Sequence, residues 1–241
     1  MRCIALLIGL SLTLVSCASS PPVGEVERAW PLVYSQDFEV ESDLEGYAFT
    51  DPACWKWSAE GGRGSLELTG ASQYSPIFRS PTSIALIPGL LFADFDLEVE
   101  LLQTGRNYGH RDMCLFLGFT SPECYDYVHL ATSPDANAHN IFRVDGAPRR
   151  PLSDVAEQGI DWGEGAWHRV RIERRSVSGS IEVFWDDEPL PILQALDQGF
   201  DWGRIGFGSF DDSGRVSGVR VWALSTKPVV DAQPFERAAT Q

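Results

Sequence analysis

Side-chain alternation with a period of two, broken at short intervals by turn-forming residues, constrains this chain more than any other feature. It is clearest between Asn107 and Asp145. Residues 112–119 (Asp-Met-Cys-Leu-Phe-Leu-Gly-Phe) read as a strand, Thr120-Ser121-Pro122-Glu123 supply a turn, and residues 124–131 form the return strand. A loop rich in Ser, Pro, Asp and Asn follows over 132–138, and 139–145 reads as a third strand. The same stretch holds His110, His129 and His139, three of the four histidines in the chain.

Successive side chains on a strand point to opposite faces. Met113, Leu115, Leu117 and Phe119 are therefore predicted to share one face, and Asp112, Cys114 and Phe116 the other. A hairpin turning at 121–122 brings Leu115 near Val128. Val128 and Leu130 then join the apolar face, and Tyr125, Tyr127 and His129 fall beside Asp112 and Cys114. On the third strand Phe142 and Val144 are expected to look inward, leaving His139, Ile141 and Arg143 with the tyrosines. The expected outcome is one open, wettable face carrying Asp112, Tyr127, His129, His139 and Arg143. A slip of one residue reverses the assignment on any strand.

The same patterning recurs along the chain. Residues 31–40, 65–69, 72–78, 93–103, 167–174, 180–185, 202–210 and 214–223 read as strands, and 80–88 as a turn-rich connection. A short helical turn is expected near 153–157, inside the irregular segment 147–165. Long helical periodicity is absent, and Gly (22) and Pro (15) are frequent enough to punctuate many short strands. The predicted fold class is all-β: a two-sheet antiparallel jelly-roll sandwich over 31–225, followed by a disordered tail over 226–241. Eight Trp among 44% hydrophobic residues supply a sizeable core.

The N-terminus predicts where the sandwich works. Arg2 precedes an apolar run from Ile4 to Val15, too short to span a bilayer and typical of a signal-peptide core. Leu14-Val15-Ser16-Cys17 then matches the lipobox of bacterial lipoproteins: a branched residue, small residues, then cysteine. That resemblance implies removal of residues 1–16 and lipidation of Cys17, with multiple acyl chains anchoring the protein stably. Residues 17–30 become a tether of roughly 20 Å by random-coil scaling. Ala18, in place of Asp, points to the outer membrane of a diderm envelope. A net charge of −15 and only two lysines, Lys56 and Lys227, provide no basic stripe, so nucleic acid is not an expected partner. Of the five cysteines, Cys3 leaves with the leader and Cys17 carries lipid. Cys54, Cys114 and Cys124 remain, an odd number, and no disulfide is predicted.

A family resemblance lies in the second half. Trp167-His168-Arg169-Val170-Arg171-Ile172-Glu173, Gly179-Ser180-Ile181-Glu182-Val183, Gly203-Arg204-Ile205-Gly206-Phe207-Gly208-Ser209-Phe210 and Val219-Arg220-Val221-Trp222 occur in an order that resembles the concanavalin A-like lectin/glucanase superfamily. The likeness is strongest to its laminin-G-like members, its family-16-like domains and the 3-keto-disaccharide hydrolase domains, and spans about residues 32–224. It implies a sandwich whose concave face often holds a sugar; fold alone does not imply a reaction.

Candidate residues follow from both readings. The expected sugar contacts are His110, Asp112, Tyr127, His129, His139, Asn140 and Arg143. Aromatic rings stack on apolar sugar faces, and the polar groups meet hydroxyls or a carboxylate. Family-16 glucanases carry a strand with alternating carboxylates, and Asp96-Leu97-Glu98-Val99-Glu100 has similar spacing with the residue types in another order. Glu98 and Glu100, or Asp112 with His129 and His139, are thus the catalytic candidates. A strand with one solvated face produces the same alternation. No cofactor is expected: Asp112, His129 and His139 could hold a zinc-type ion, but no tight metal-ligand spacing appears and hydrogen-bonded polar residues on a sheet face explain them; Asp37, Asp211 and Asp212 could hold a structural calcium, and a plain turn explains the same residues. The leading expectation is an envelope lipoprotein that binds an oligosaccharide or polysaccharide. A glycoside hydrolase and a structural or protein-interaction module are the alternatives.

Expressed with its leader in a bacterial host, the protein is expected to fractionate with membranes and to carry acyl chains on its N-terminal peptide by mass spectrometry. Cys17→Ser is expected to abolish both.

Overall fold

The computed structural model describes residues 28–230 and 233–235. The expected leader, the expected lipidation site Cys17, most of the expected tether and tail residues 236–241 lie outside the described residues.

Among the described residues the strands are, in chain order, β1 (Leu32–Gln36), β2 (Ala48–Phe49), β3 (Trp55–Ser58), β4 (Ser65–Leu68), β5 (Ser83–Leu86) and β6 (Leu90–Leu91). They continue with β7 (Phe95–Gln103), β8 (Asp112–Ser121), β9 (Cys124–Ala131), β10 (Asn140–Asp145), β11 (Arg150–Pro151) and β12 (Trp167–Arg175). The last are β13 (Ser180–Trp185), β14 (Leu193–Leu196), β15 (Arg204–Ser209), β16 (Gly214–Trp222) and β17 (Lys227–Pro228). One sheet has eight strands in the order β14-β13-β12-β7-β16-β4-β3, with β1 paired to the far end of β16. The other has seven, in the order β11-β10-β9-β8-β15-β5-β2, and β17 pairs β6 separately. Pairing is antiparallel in both large sheets, as expected for a two-sheet jelly-roll sandwich.

The two sheets meet on their inner faces. Phe95, Leu97, Val99 and Leu101 of β7 pack in one core with Leu115 and Leu117 of β8, Val128 and Leu130 of β9, and Ile205 and Phe207 of β15. The β8 and β9 residues among them are apolar positions that alternation placed inward. The β8–β9 register is also the expected one, with Leu115 opposite Val128 and Cys114 opposite His129.

Several local expectations are overturned. Residues 72–78 form no strand: the Ser83 hydroxyl accepts the Ser72 N–H, and the Ser72 hydroxyl accepts that of Tyr74. Side-chain oxygens there replace ladder partners. Residues 153–157 are not helical, whereas Ser83–Leu86, within the expected turn region, is a fully buried strand between β15 and β2. Phe119 leaves the inner face, because the ladder is irregular between Leu117 and Ser121 and Gly118 adopts φ +58°. Glycine is needed there, and again at Gly203, where a Cβ would stand 2.1 Å from the Gly118 carbonyl carbon.

The third strand is reversed relative to expectation. Asn140 pairs His129 and Phe142 pairs Tyr127, so Phe142 and Val144 join the tyrosines while Ile141 and Arg143 turn into the sandwich. An acid decides this. Asp126 shares the inner face with Val128, and Arg143 binds it with two hydrogen bonds, Nε to Oδ1 at 2.9 Å and Nη2 to Oδ2 at 3.0 Å. Asp197 contacts the same guanidinium, which stacks 4.2 Å from the Phe200 ring centroid. Arg174 ties the loop down by donating to the carbonyls of Asp197 and Phe200 at 2.9 Å. Burial still pushes the Asp126 carboxyl above its ordinary range, in spite of Arg143. A buried carboxylate without its cation is far costlier than a buried pair.

Arg143→Met is therefore expected to lower stability by about 3–5 kcal/mol in urea unfolding. The double variant Asp126→Leu/Arg143→Met is expected to recover much of that loss.

Candidate functional site

The central strands β8, β9 and β10 carry the predicted face, and its polar groups do converge there in part. Alternation exposes Cys114 and Phe116 of β8, Tyr125, Tyr127 and His129 of β9, and Asn140, Phe142 and Val144 of β10 on the side away from the sandwich core. That side is covered. Phe78, Phe210 and Phe235 pack against it, and Asp112, Tyr127, His129 and His139 are all nearly or fully buried. Phe119 stacks on Tyr125 and Tyr127 on Phe142, each pair 5.3 Å between ring centroids, and the His129 ring lies 5.3 Å from that of Phe210. Arg149 closes the roof. It donates to Tyr127 Oη at 2.6 Å and to the Asn137 carbonyl at 2.8 Å, over the rings of Phe142 and Phe210. The face expected to be open and wettable is an aromatic layer instead.

Within that layer Asp112 is the polar hub. Its Oδ1 accepts the Ser209 hydroxyl at 2.7 Å, and its Oδ2 accepts the Cys114 thiol at 3.2 Å. The Nε2 atom of His129 stands 3.2 Å from the same Oδ2, but off-axis, so that it makes no hydrogen bond. Burial pushes the Asp112 carboxyl up; the charge of His129 and the Ser209 and Cys114 hydrogen bonds more than offset it and hold the group below the usual carboxylate range. The Cys114 thiol is pushed well up by burial and by the Asp112 charge. Beside them Asp212 Oδ2 accepts the Asp112 N–H and the Tyr108 hydroxyl, both at 2.9 Å. Burial pushes Asp212 to about 6, against the two hydrogen bonds.

The other candidates scatter. His110 is exposed and reaches Asp135 at 3.0 Å, beyond the covered face. Asn140 is a tie for the following loop, donating to the carbonyls of Ser153 and Asp154 at 3.1 Å. Arg143 is on the opposite side of the sheet. Glu98 and Glu100 belong to β7 in the eight-stranded sheet, where Arg171 and Arg169 of β12 lie opposite them. Arg28 pairs with Glu98, and Arg63 with Glu100. Of the three calcium candidates, Asp211 and Asp212 come together with Asp112, while Asp37 pairs with Arg220 at 2.8 Å.

One concavity was not anticipated. A groove of about 750 Å³ opens at the turn end of the β8–β9 hairpin. Phe119, Thr120, Ser121 and Glu123 line it from the hairpin, Tyr74 and Ile77 from the preceding loop, and Leu91, Trp202 and Val229–Val230 from the segments around β6 and β17. The Lys227 ammonium sits 4.0 Å from the Trp202 ring centroid. Arg204 reaches the groove from β15 while donating to the Ile87 carbonyl at 3.0 Å. Its residues come from five separate segments with no shared motif, so only the turn chemistry at 120–123 marked any of it in the sequence.

His139 offers a direct check on the buried face. Its φ is +52°, and its Nδ1 accepts the Ala131 N–H at 3.3 Å, which places the ring proton on Nε2. Burial, then the nearby His129, lowers its pKa from 6.5 to about 4. A histidine held neutral by the fold contributes stability that is complete above the unfolded value and is lost as pH falls through the folded one. The stability advantage of the wild type over His139→Asn, a residue that tolerates positive φ, is thus expected to shrink between pH 6.5 and about 4 in chemical denaturation.

No protein-family model matches the chain, and no curated protein sequence is significantly similar to it. Solved structures share its fold. The carbohydrate binding module CBM66 from Bacillus subtilis aligns with 74% of this chain and 96% of its own, at 13% identity and a TM-score of 0.52. A Bacillus subtilis protein of unknown function with a galectin-like fold aligns over 79% and 95%, at 13% identity and a TM-score of 0.54. A mutant of the GH43 protein BlXynB from Bacillus licheniformis aligns with 83% of this chain but 41% of its own, at 10% identity and a TM-score of 0.54. At such identities the likeness is one of fold: the two-sheet antiparallel sandwich.

Proposed function

We propose that this protein is a saccharide-binding module of a cell-envelope lipoprotein, held to the membrane through Cys17, and that the sugar lies in the groove at the β8–β9 turn. The observation that carries this reading is the make-up of that groove. Its volume of about 750 Å³ suits a small oligosaccharide, and its lining joins flat apolar rings to polar groups: Tyr74, Phe119 and Trp202 with Thr120, Ser121, Glu123 and Arg204. Sugars demand that combination, because their C–H faces are apolar while their edges carry hydroxyls. The module-length alignment with CBM66, a carbohydrate binding module by name, supports the same reading.

Binding without hydrolysis is favoured by the count of acids. A glycosidase needs two carboxyl groups flanking the scissile bond. Among the described residues that line the groove, Glu123 is the sole acid. Glu98 and Glu100 are engaged by arginines on the other sheet, and Asp112 is sealed beneath Phe210 and Arg149.

Calorimetry and a glycan array on the soluble chain from residue 28 are the test. Binding is expected for at least one polysaccharide class, with Tyr74→Ala and Trp202→Ala each weakening it about tenfold, the equivalent of one lost aromatic contact. Unchanged melting temperatures would show that both variants stay folded. Binding that survives both variants would move the site elsewhere, silence across plant, algal and bacterial glycans would sink the reading, and turnover of a bound oligosaccharide would replace it with the enzymatic one.

A further inference from the structure

The buried knot around Asp112 has chemistry that saccharide binding at the groove does not use. Cys114 and His129 face each other across the β8–β9 ladder, and Asp112 lies two residues before Cys114 on the same strand. One donor atom from each, a carboxylate oxygen, Sγ and an imidazole nitrogen, lie within 4.8 Å of one another. All three residues are at least nine-tenths buried, at 1%, 1% and 5% exposure. Two neighbouring strands in a sheet hold these atoms far more rigidly than a loop would.

The orientation of His129 makes the cluster informative. Its Nδ1 stands 3.2 Å from the carbonyl oxygen of Asn137. A carbonyl only accepts, so Nδ1 carries a proton and Nε2 is the ring atom turned toward Asp112. Nε2 is buried, 3.2 Å from Oδ2 of Asp112 and off-axis for a hydrogen bond to it. A buried polar atom without a well-directed partner is costly, and a metal ion among the three donors would engage it.

We propose that Asp112, Cys114 and His129 bind one borderline-soft divalent cation, for which zinc is the best match. Thiolate, imidazole and carboxylate are the zinc donor set, and the ion takes them in tetrahedral geometry. Bond lengths of about 2.0–2.3 Å place the donors of a tetrahedral site roughly 3.3–3.8 Å apart. The Asp112 Oδ2–Cys114 Sγ and Asp112 Oδ2–His129 Nε2 separations are both 3.2 Å, and all three donor atoms lie within 4.8 Å of one another, close to that spacing. The Asn137 carbonyl orients the ring, and the Ser209 hydroxyl occupies Oδ1 of Asp112, while Oδ2 accepts the Cys114 thiol and, at 3.4 Å, the Phe210 N–H and turns its remaining side to the ion. Three protein donors leave the fourth vertex to a water molecule. On binding, the Cys114 thiol loses its proton to solvent. Thiolate and carboxylate then balance the two charges of the ion, so the buried site becomes neutral overall. The site stands independently of the saccharide reading.

The experiment uses the full mature chain, purified without chelator and then stripped and reloaded. Elemental mass spectrometry is expected to find one zinc per chain. Cobalt(II) added to the stripped protein is expected to give the near-ultraviolet charge-transfer band of a thiolate ligand together with the visible bands of a tetrahedral ion. Cys114→Ser is expected to remove the charge-transfer band, and Cys124→Ser, a cysteine outside the cluster, to keep it. Should Cys114→Ser fail to fold, the wild type still decides: zinc addition is expected to release one proton per ion at constant pH, and to move the His129 Nε2 resonance to a metal-bound position. Failure to bind zinc or cobalt stoichiometrically, a cobalt spectrum without thiolate character, or a His129 ring that stays doubly protonated with zinc in excess would each overturn the assignment.

Discussion

The seven-stranded sheet is buried on both of its faces, and most of what is distinctive in the molecule follows from that. Its inner face meets the eight-stranded sheet, as in any sandwich. Its outer face is sealed by Phe78, Phe210, Phe235 and the Arg149 roof. A polar side chain on either side must then find its partners inside the protein. Asp126 finds Arg143 on the inner side. On the outer side Asp112 gathers Ser209, Cys114 and His129. The ionic cluster and the polar knot are two answers to one requirement, set at different depths of the same three strands.

The eight-stranded sheet obeys a looser rule. Its inner face is apolar, and its outer face carries Glu98 and Glu100 among arginines of β12 and the incoming chain. Alternating carboxylates on such a strand are what a solvated face requires, and their partners here are guanidinium groups. A solvated sheet face is thus enough to account for the alternation at 96–100. The groove proposed for the saccharide lies instead at the sandwich end, where loops meet the hairpin turn.

This asymmetry explains what was legible in the sequence. Where one face is wet, alternation is clean, and β7, β12 and β16 could be placed within two residues of their bounds. Where both faces are dry, every position tolerates an apolar residue, and periodicity no longer assigns the face. Residues 141–144, Ile-Phe-Arg-Val, fit the core in either orientation; the choice was made by Asp126, on a neighbouring strand. The buried strand Ser83–Leu86 was hidden for the same reason, between prolines that marked its surroundings as turn. The hairpin register of β8 and β9 was legible because a tight turn fixes it independently of burial. Convergence of Asp112, Cys114 and His129 followed from that register. Their enclosure did not, because Phe210, Phe235 and Arg149 arrive from distant parts of the chain.

Sealing both faces also sets where the molecule opens last. Water reaches part of the eight-stranded sheet's outer surface, where Glu98, Glu100, Arg169 and Arg171 are half-buried or exposed, so amides there can exchange through small local fluctuations. The central ladder of β8 and β9 has protein on either side and a strand at each flank. Its amide protons can meet solvent only when the whole molecule comes apart, which makes that hairpin the slowest-exchanging part of the protein and the record of its global unfolding.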